Sequence, residues 1–428
     1  MTYIKKFTLA LALQVSAGAQ VAAAQTIAIT GGKVFPVSGA PIENGTVIIT
    51  GGKITAVGSN IAIPSGARRI DATGKWVTPG LVNGNTQLGL SEIGAVPGTD
   101  DATARGKDEI AAAFRVWEGL NTTSALFAPA RREGVTSVVV LPQGGLVWGQ
   151  AGVIKLVPGM LSDMLIKGPV AMVAQVGSPQ RGGAGSRGEL IMRLRELFED
   201  TRAFQRNRAA YERAETRNYA ASRKDLEAMI PVIDGQLPLV VATDKSSDID
   251  AALMLAREYG IKIIIGGGAE AWIVADKLAA ARVPVMTGAM NNIPGDFASL
   301  GTRQDNLALL RRAGVQVIII GNSGNGDEET FNVRNIRQEA GNAVAYGMTW
   351  NDALRAVTLA PAEIFGFAGR VGSLAAGRDA DVVIWNGDPF EFTTRAEHVF
   401  VAGREYLEPN RQELLTERYK TLPPRGQR

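Results

Sequence analysis

The sequence predicts an α/β protein: a (β/α)8 TIM-like barrel with a small β-sandwich that the N- and C-terminal segments form together. Short Val- and Ile-rich runs recur through the middle of the chain, amphipathic stretches separate several of them, and both ends alternate apolar and polar residues around Gly-Gly turns. Continuous apolar runs are typical of parallel strands covered by helices, whereas alternation around tight turns indicates hairpins. The alternative for the middle is an open doubly wound sheet, but no Gly-x-Gly-x-x-Gly segment follows a first strand.

Residues 1–24 have the three parts of a secretory signal peptide. Lys5 and Lys6 form a basic start, an apolar run covers 7–15, and small residues precede an expected cleavage site near Ala24. An N-terminal membrane anchor is the alternative, but a span needs roughly 20 apolar residues and this run is shorter. We therefore expect an exported protein, periplasmic or secreted, without a membrane span.

The expected domain organisation follows these changes in pattern. Residues 25–77 form the N-terminal part of the sandwich, 78–368 form the barrel, and 369–428 form the C-terminal part of the sandwich and a tail. Within the barrel, the segment 187–229 is highly charged and helical in composition. Acidic residues are interleaved with its basic ones, so a solvated helical insertion over one barrel face is favoured over a nucleic-acid patch.

Composition excludes several classes of site. The chain has 428 residues, a net charge of +3, no cysteine and one histidine. Disulfides, thiolate metal sites and cysteine nucleophiles are therefore excluded, and the small net charge gives no argument for a nucleic-acid partner. A catalytic zinc usually has three protein ligands, most often histidines with Cys, Asp or Glu. The only histidine, His398, lies in a C-terminal segment that predicts an edge strand, so we expect no zinc cofactor.

Catalytic and binding residues of a TIM barrel lie where its strands end, at the carboxyl-terminal face. The predicted strand ends carry Asn85 and Gln87, Gln143, Thr243 and Asp244, Gly266 to Gly268, Asn291 and Asn292, and Asn322 and Ser323. Asp244 is the one acid directly at a predicted strand end, with Asp327 and Glu328 farther along a loop. The glycine-rich ends lack the Lys-Ser/Thr of a phosphate-binding P-loop, which favours ordinary turns. Ser186 and Ser323 have no histidine base in the barrel that would make either a nucleophile.

Four segments carry a resemblance to a known family. In chain order they are "GTVIITGGKITAVG", "VTPGLVNGNTQLGL", "NDALRAVTLAPAEIFGF" and "GSLAAGRDADVVIWNGDP". They resemble the amidohydrolase superfamily, in particular its imidazolonepropionase-like branch. That family's first barrel strand reads Thr-Pro-Gly-Leu-(Ile/Val)-Asp-x-His-x-His, and both histidines bind the metal. The resemblance implies a TIM barrel, hydrolysis of C–N bonds in non-peptide or cyclic amides, and zinc.

The resemblance also implies which positions once held the metal. They fall on Asn85 and Gln87 in the first strand, Thr243 in the fifth, Gly267 within Gly266 to Gly268 in the sixth, and Asn322 in the eighth. Asn83 stands where the family has an aspartate before the paired histidines. Lys155 is the nearest candidate for the carboxylated fourth-strand lysine of some members, although a snorkelling surface lysine is favoured there. Every aligned ligand has been replaced, which implies that the metal site is lost.

The sequence is compatible with three functions. The first is a pseudoenzyme or non-catalytic subunit that binds a small amide-like ligand in the former site, as a homo-oligomer or in a complex with an active amidohydrolase. The second is an active hydrolase with non-standard water activation, in which Asp244 is the catalytic residue, alone or with an oxygen-ligated ion also held by Asp327 and Asn322. The third is a structural or interaction protein that uses 187–229 as its contact face.

Overall fold

Two β-sheets and a layer of helices account for most of the chain in the computed structural model. The structure describes residues 25–93, 96–104, 106–290, 294, 297–321, 330, 332–406, 409 and 411–421. The predicted signal peptide lies outside these residues, as do Asn291, Asn292, Asn322, Ser323, Asp327 and Glu328.

Most strands belong to a terminal sheet or to a central sheet, and two short ones pair only with each other. The strands are β1 (Thr26–Val34), β2 (Ile42–Thr50), β3 (Lys53–Gly58), β4 (Arg68–Asp71), β5 (Trp76–Pro79), β6 (Leu81–Thr86), β7 (Thr103–Ala104), β8 (Val135–Val140), β9 (Gln143–Gly144), β10 (Val147–Lys155), β11 (Leu165–Gln175), β12 (Leu239–Thr243), β13 (Ile263–Gly267), β14 (Val285–Thr287), β15 (Val317–Ile319), β16 (Val382–Trp385), β17 (Ala396–Val401) and β18 (Arg404–Glu405).

The helices are concentrated between the central strands and after them. They are α1 (Phe127–Arg132), α2 (Leu161–Met164), α3 (Arg187–Arg206), α4 (Arg208–Glu212), α5 (Arg223–Ile233), α6 (Ser246–Tyr259), α7 (Ala275–Ala281), α8 (Asn306–Arg312), α9 (Ile336–Ala345), α10 (Trp350–Ala356), α11 (Leu359–Ile364) and α12 (Arg411–Tyr419). Among the described residues, no helix combines the length and the apolar character that crossing a membrane requires.

The two ends of the chain build one mixed sheet. Its strands are ordered β18-β17-β16-β5-β1-β2-β3, with β4 paired parallel to β1. Ile29, Val47, Ile384 and Phe400 are fully or almost fully buried in the core of this sheet. Val382 and Ile384 of β16 pack into this core, whereas the intervening Val383 and Trp385 pack into the main core, so this C-terminal strand is buried on both faces. The predicted association of the termini is confirmed.

The central sheet is an eight-stranded barrel, which confirms the predicted fold class. Its strands are ordered β15-β14-β13-β12-β11-β10-β8-β6. The two end strands approach closely: a Cβ atom on Gly84 of β6 would lie 2.5 Å from Cγ2 of Ile318 on β15. Only glycine permits this approach. Val139, Val240 and Ile264 belong to the buried cluster that fills the barrel interior.

One barrel strand runs in the opposite direction from the others. Strand β10 pairs antiparallel with both β8 and β11, whereas the remaining neighbours in the barrel pair parallel. A parallel neighbour needs a crossover connection, usually a helix, and only residues 141–146 separate β8 from β10. The uniform (β/α)8 pattern is therefore wrong at this strand. Its direction has no local signal, because β10 is buried on both faces in the same way as the parallel strands.

The reversed strand carries Lys155 to the amino-terminal end of the barrel, against the terminal sheet. Lys155 Nζ donates to Asp379 Oδ2 at 2.7 Å and to Asp381 Oδ1 at 3.1 Å. Burial alone would raise the pKa of Asp379, but hydrogen bonds from Lys155 and Lys53 lower this pKa to about 2. Burial raises the pKa of Asp381 against the opposing charge of Lys155.

Both sequence-based interpretations of Lys155 are therefore wrong. The residue is only 3% exposed, so it is not a snorkelling surface lysine, and it lies at the end of the barrel opposite the carboxyl ends of the parallel strands. The two acids that hold it come from a segment more than 200 positions away in the chain. A local pattern does not reveal such a long-range ion pair.

The segment 187–229 contributes to the main helix layer. It forms α3, α4 and the start of α5. Leu190, Leu194 and Phe198 on α3 are fully buried in the main core. Ser186 caps α3, since its hydroxyl accepts a hydrogen bond from the Glu189 N–H at 3.2 Å. Most charged residues of this segment are exposed or half-buried, although Asp200 and Asp225 are buried, and the apolar face of α3 packs on the main core.

We predict that Lys155→Met lowers the free energy of unfolding by about 3–5 kcal/mol, because it leaves the buried carboxylate of Asp381 without a cation and takes one of three cations from Asp379. Lys53→Met is the matched control: it removes a second lysine from Asp379, but the Lys53 side chain is 50% exposed against 4% for Lys155. We expect the control to lower the free energy of unfolding by about 1 kcal/mol or less. Urea unfolding followed by circular dichroism measures both values, and equal losses would contradict the assigned role of Lys155.

Candidate functional site

The first barrel strand delivers Asn85 and Gln87 through an irregularity in its pairing. Asn83 pairs with Val138 and Thr86 with Val140, so two residues of β6, Gly84 and Asn85, oppose one residue of β8. This arrangement is a β-bulge, which interrupts the alternation of side chains and re-aims them. The side-chain Oδ1 of Asn83 accepts a hydrogen bond from the Asn85 N–H at 3.0 Å and fixes the bulge.

Asn85 is half-buried within the end of β6, and Gln87 is buried just beyond it. Both therefore lie at the carboxyl end of the first strand, as the sequence predicts.

Strands β11 to β14 present a row of inward-facing residues at this end of the barrel. Gln175 pairs with Ala242, Ala242 with Gly266, and Gly266 with Met286. Residues paired across a sheet lie on the same face. Ala242 and Gly266 lie two residues beyond Val240 and Ile264 on their strands, and those two side chains fill the barrel interior. The row therefore faces inward.

Gln175 is the polar side chain of this row and was missed in the sequence. It is 3% exposed, and its Nε2 donates to the Ser178 carbonyl at 3.1 Å. The signal that would have found it is alternation: Gln175 follows Val173 at a spacing of two, and Val173 lies in the barrel interior. Strand β11 is the fourth strand of the barrel.

Thr243 and Gly267 pair with each other one position beyond this row. Thr243 lies on the same strand face as Leu239 and Val241, which pack into the cluster beneath the helices. Its hydroxyl Oγ1 is buried and has no hydrogen-bond partner among the residues that the structure describes. The inward positions of these two strands are thus Ala242 and Gly266. A pocket role for Thr243 and Gly267 stays a prediction, and Asn322 lies outside the described residues.

Three acids at the carboxyl ends of β12 to β14 bind backbone N–H groups. Asp244 Oδ1 accepts from Ala269 N at 3.2 Å. Glu339, from helix α9, accepts from Ala289 N at 2.9 Å and from Met290 N at 3.2 Å through one carboxylate oxygen. These contacts tie the loops at the barrel mouth together. The carboxylates satisfy backbone donors that the strands leave unpaired where they end.

Glu270 is the third of these acids and was also missed in the sequence. Its carboxylate accepts hydrogen bonds from the N–H and the hydroxyl of Ser246 and from Gly301 N, at 2.9–3.0 Å. Burial would raise the pKa of Glu270, but the hydrogen bonds from Ser246 and Gly301 hold this pKa below its usual value. Glu270 follows the glycine-rich end of β13, so the residues just after the predicted strands include it. Glu339 lies within helix α9, and no local sequence pattern marks it.

Comparisons with known proteins agree with this architecture. The sequence profile of the amidohydrolase family matches residues 273–406. A solved amidohydrolase from Thermotoga maritima superposes with a TM-score of 0.80 at 25% identity, covering 90% of this chain and all of that one. An imidazolonepropionase from Acidiphilium cryptum is 24% identical over 385 residues, covering 82% of this chain and 89% of that protein. The chain belongs to the amidohydrolase superfamily.

A longer relative shows the same likeness. Amidohydrolase tasK from Hapsidospora irregularis is 25% identical over 393 residues, which are 84% of this chain. The chain spans only 39% of the length of that protein. This similarity, in the barrel and in the order of segments, supports membership of the superfamily. It does not assign the activity of any one relative to this chain.

The residues at the strand ends of this amidohydrolase-superfamily chain do not fit a zinc centre. Zinc prefers imidazole and thiolate ligands, whereas Asn85, Gln87 and Gln175 offer neutral amides. In the part of the chain that the structure describes, no three His, Cys, Asp or Glu residues are grouped so as to hold a metal ion. His398 lies in β17 of the terminal sheet, and its Nδ1 is 2.5 Å from Glu405 Oε1.

We predict that Gly267→Ala lowers the free energy of unfolding by about 2–3 kcal/mol, because alanine adds the strain of a left-handed backbone to the strain of a close contact. Gly267 has φ +95°, and an added Cβ would lie 2.6 Å from Asp244 Oδ1. Gly314→Ala is the matched control, since Gly314 has φ +89° with nothing within 4 Å of an added Cβ. We expect the control to lose about 1 kcal/mol in chemical denaturation, for the backbone alone. Equal losses would show that Asp244 does not crowd this position.

Proposed function

We propose that this chain does not hold the metal centre of its superfamily and that it binds a small neutral amide at the carboxyl end of its barrel. The observation that carries the proposal is the inward row Gln175–Ala242–Gly266, which offers one neutral amide side chain and no metal ligand. Asn85 and Gln87 stand at the end of the first strand, where the family has its paired histidines. The whole chain contains one histidine and no cysteine, so no loop can supply the missing imidazoles.

The chemistry of these side chains favours an amide as the ligand. A carboxamide group donates through its NH2 and accepts through its carbonyl, so Asn85, Gln87 and Gln175 can match the N–H and C=O of another amide. Such a ligand is neutral and needs no counter-charge. Ala242 and Gly266, at the two neighbouring inward positions, add no charged or polar side chain. The name of the imidazolonepropionase relative supports a cyclic amide as the first ligand to test.

The acids at the barrel mouth support a binding role over water activation. Asp244, Glu270 and Glu339 all accept hydrogen bonds from backbone N–H groups. A carboxylate held in this way is stabilised in its charged form and is a weaker base. Asp244 remains the residue to test for a hydrolase with non-standard water activation, because it follows the fifth barrel strand directly.

We predict that the purified chain contains well below one zinc per molecule and does not hydrolyse cyclic amides, even with added zinc. The physical reason is the absence of imidazole and thiolate ligands at the barrel mouth. Inductively coupled plasma mass spectrometry of chelator-free protein measures the metal, and product formation from hydantoin and dihydrouracil measures turnover. Stoichiometric zinc with metal-dependent turnover would refute the proposal. Metal-free turnover that Asp244→Asn abolishes would favour the hydrolase with Asp244 as its base.

We predict that hydantoin binds the wild-type chain and that Gln175→Leu weakens this binding about tenfold, the effect of losing one or two hydrogen bonds in a closed site. Gln150→Leu is the matched control: Gln150 is another buried glutamine, whose Nε2 donates to the Ala112 carbonyl at 3.0 Å. Isothermal titration calorimetry measures both variants, and their melting temperatures report the structural cost of each change. Equal affinity in Gln175→Leu and wild type would remove Gln175 from the site.

A further inference from the structure

A groove opens at the opposite, amino-terminal end of the barrel. Its volume is about 580 Å3, and it is formed where strands β12 to β15 begin, beside the end of helix α11. Most of its wall is apolar, including Val283, Pro284 and Phe365. Ligand sites are typically concave, largely apolar and about 300–1,000 Å3 in volume, with a few polar groups. The size and the composition of the groove match that class of site.

The charged residues of this groove all have the same sign. Lys167, Lys262 and Arg282 line it, and no aspartate or glutamate is among the described residues that do. Lys262 and Arg282 are exposed, and neither forms an ion pair with an acid in the described part of the chain. Lys167 Nζ donates to the Gly366 carbonyl at 3.0 Å, which holds it at the groove wall. Three cations beside an apolar wall attract an anion with an apolar body.

The backbone at Arg282 gives a second, independent observation. Arg282 ends helix α7 with φ 55° and ψ 38°, the left-handed conformation in which helices usually end on glycine. A side chain in this conformation is strained, so a residue other than glycine carries an energetic penalty there. Strained residues are characteristic of functional sites. Here the strained residue places a guanidinium group, the side chain best suited to a carboxylate, on the groove wall.

We infer that this groove is a binding site for a small organic anion with an apolar body, of the class of medium-chain carboxylates. The carboxylate is held by Arg282 and Lys262, and the hydrocarbon part lies along the apolar wall. This site is separate from the amide site that we propose at the carboxyl end, because its walls are formed by the beginnings of the strands rather than their ends.

Isothermal titration calorimetry of the full chain with sodium octanoate, and with neutral octanamide as the matched ligand, tests the inference. We expect saturable binding of octanoate, at least about tenfold tighter than that of octanamide. Lys262→Ala and Arg282→Gly should each weaken octanoate binding about tenfold. Lys224→Ala removes an exposed lysine outside the groove and should leave the affinity unchanged.

Arg282→Gly separates binding from folding. Glycine is favoured at this backbone conformation, so the melting temperature should stay the same or rise while octanoate affinity falls. Three results would overturn the inference: no saturable octanoate binding, equal affinity for octanamide, or octanoate affinity that both groove variants leave unchanged. Loss of octanoate binding in Gln175→Leu would also overturn it, because the ligand would then occupy the carboxyl end of the barrel.

Discussion

Closure of the central sheet into a barrel decides which side chains of this protein can meet one another. In a closed sheet, each strand sends alternate residues into the interior, and the hydrogen-bonded register sets which inward residues lie side by side. The two end strands can approach here because position 84 of β6 is glycine. A Cβ atom at this position would collide with the Ile318 side chain of β15. Register then aligns Gln175, Ala242 and Gly266. The candidate site is a consequence of these two constraints.

The two ends of the barrel have different chemistry. At the carboxyl end, the amide of Gln175 lies in the inward row, and Asp244, Glu270 and Glu339 accept hydrogen bonds from backbone N–H groups. At the amino end, Lys262 and Arg282 have no acidic partner among the described residues. The reversed strand β10 brings a further cation, Lys155, to the amino end, but Asp379 and Asp381, just before β16, neutralise it.

The acids of this chain connect the loops at the carboxyl end of the barrel through hydrogen bonds with backbone N–H groups. A metal ion draws several loops together through shared ligands. In this protein, Glu270 connects the loop after β12 to Gly301, and Glu339 connects helix α9 to the loop after β14. Each contact is a hydrogen bond between a buried carboxylate and the backbone, which is among the stronger kinds in proteins. The loops at the mouth are thus held by interactions that need no cation.

The sequence by itself determined the fold class, the superfamily and the scarcity of histidine and cysteine. Apolar runs and Gly-Gly hairpins are local patterns, and the one histidine and zero cysteines of the chain hold for any fold. Tertiary structure alone decided the direction of β10, the burial of Lys155 and the inward position of Ala242 rather than Thr243. These features depend on which strands pair, on a bulge that shifts alternation, and on ion pairs between residues far apart in the chain. Local pattern carries no information on such contacts, because they form only when the barrel closes against the terminal sheet.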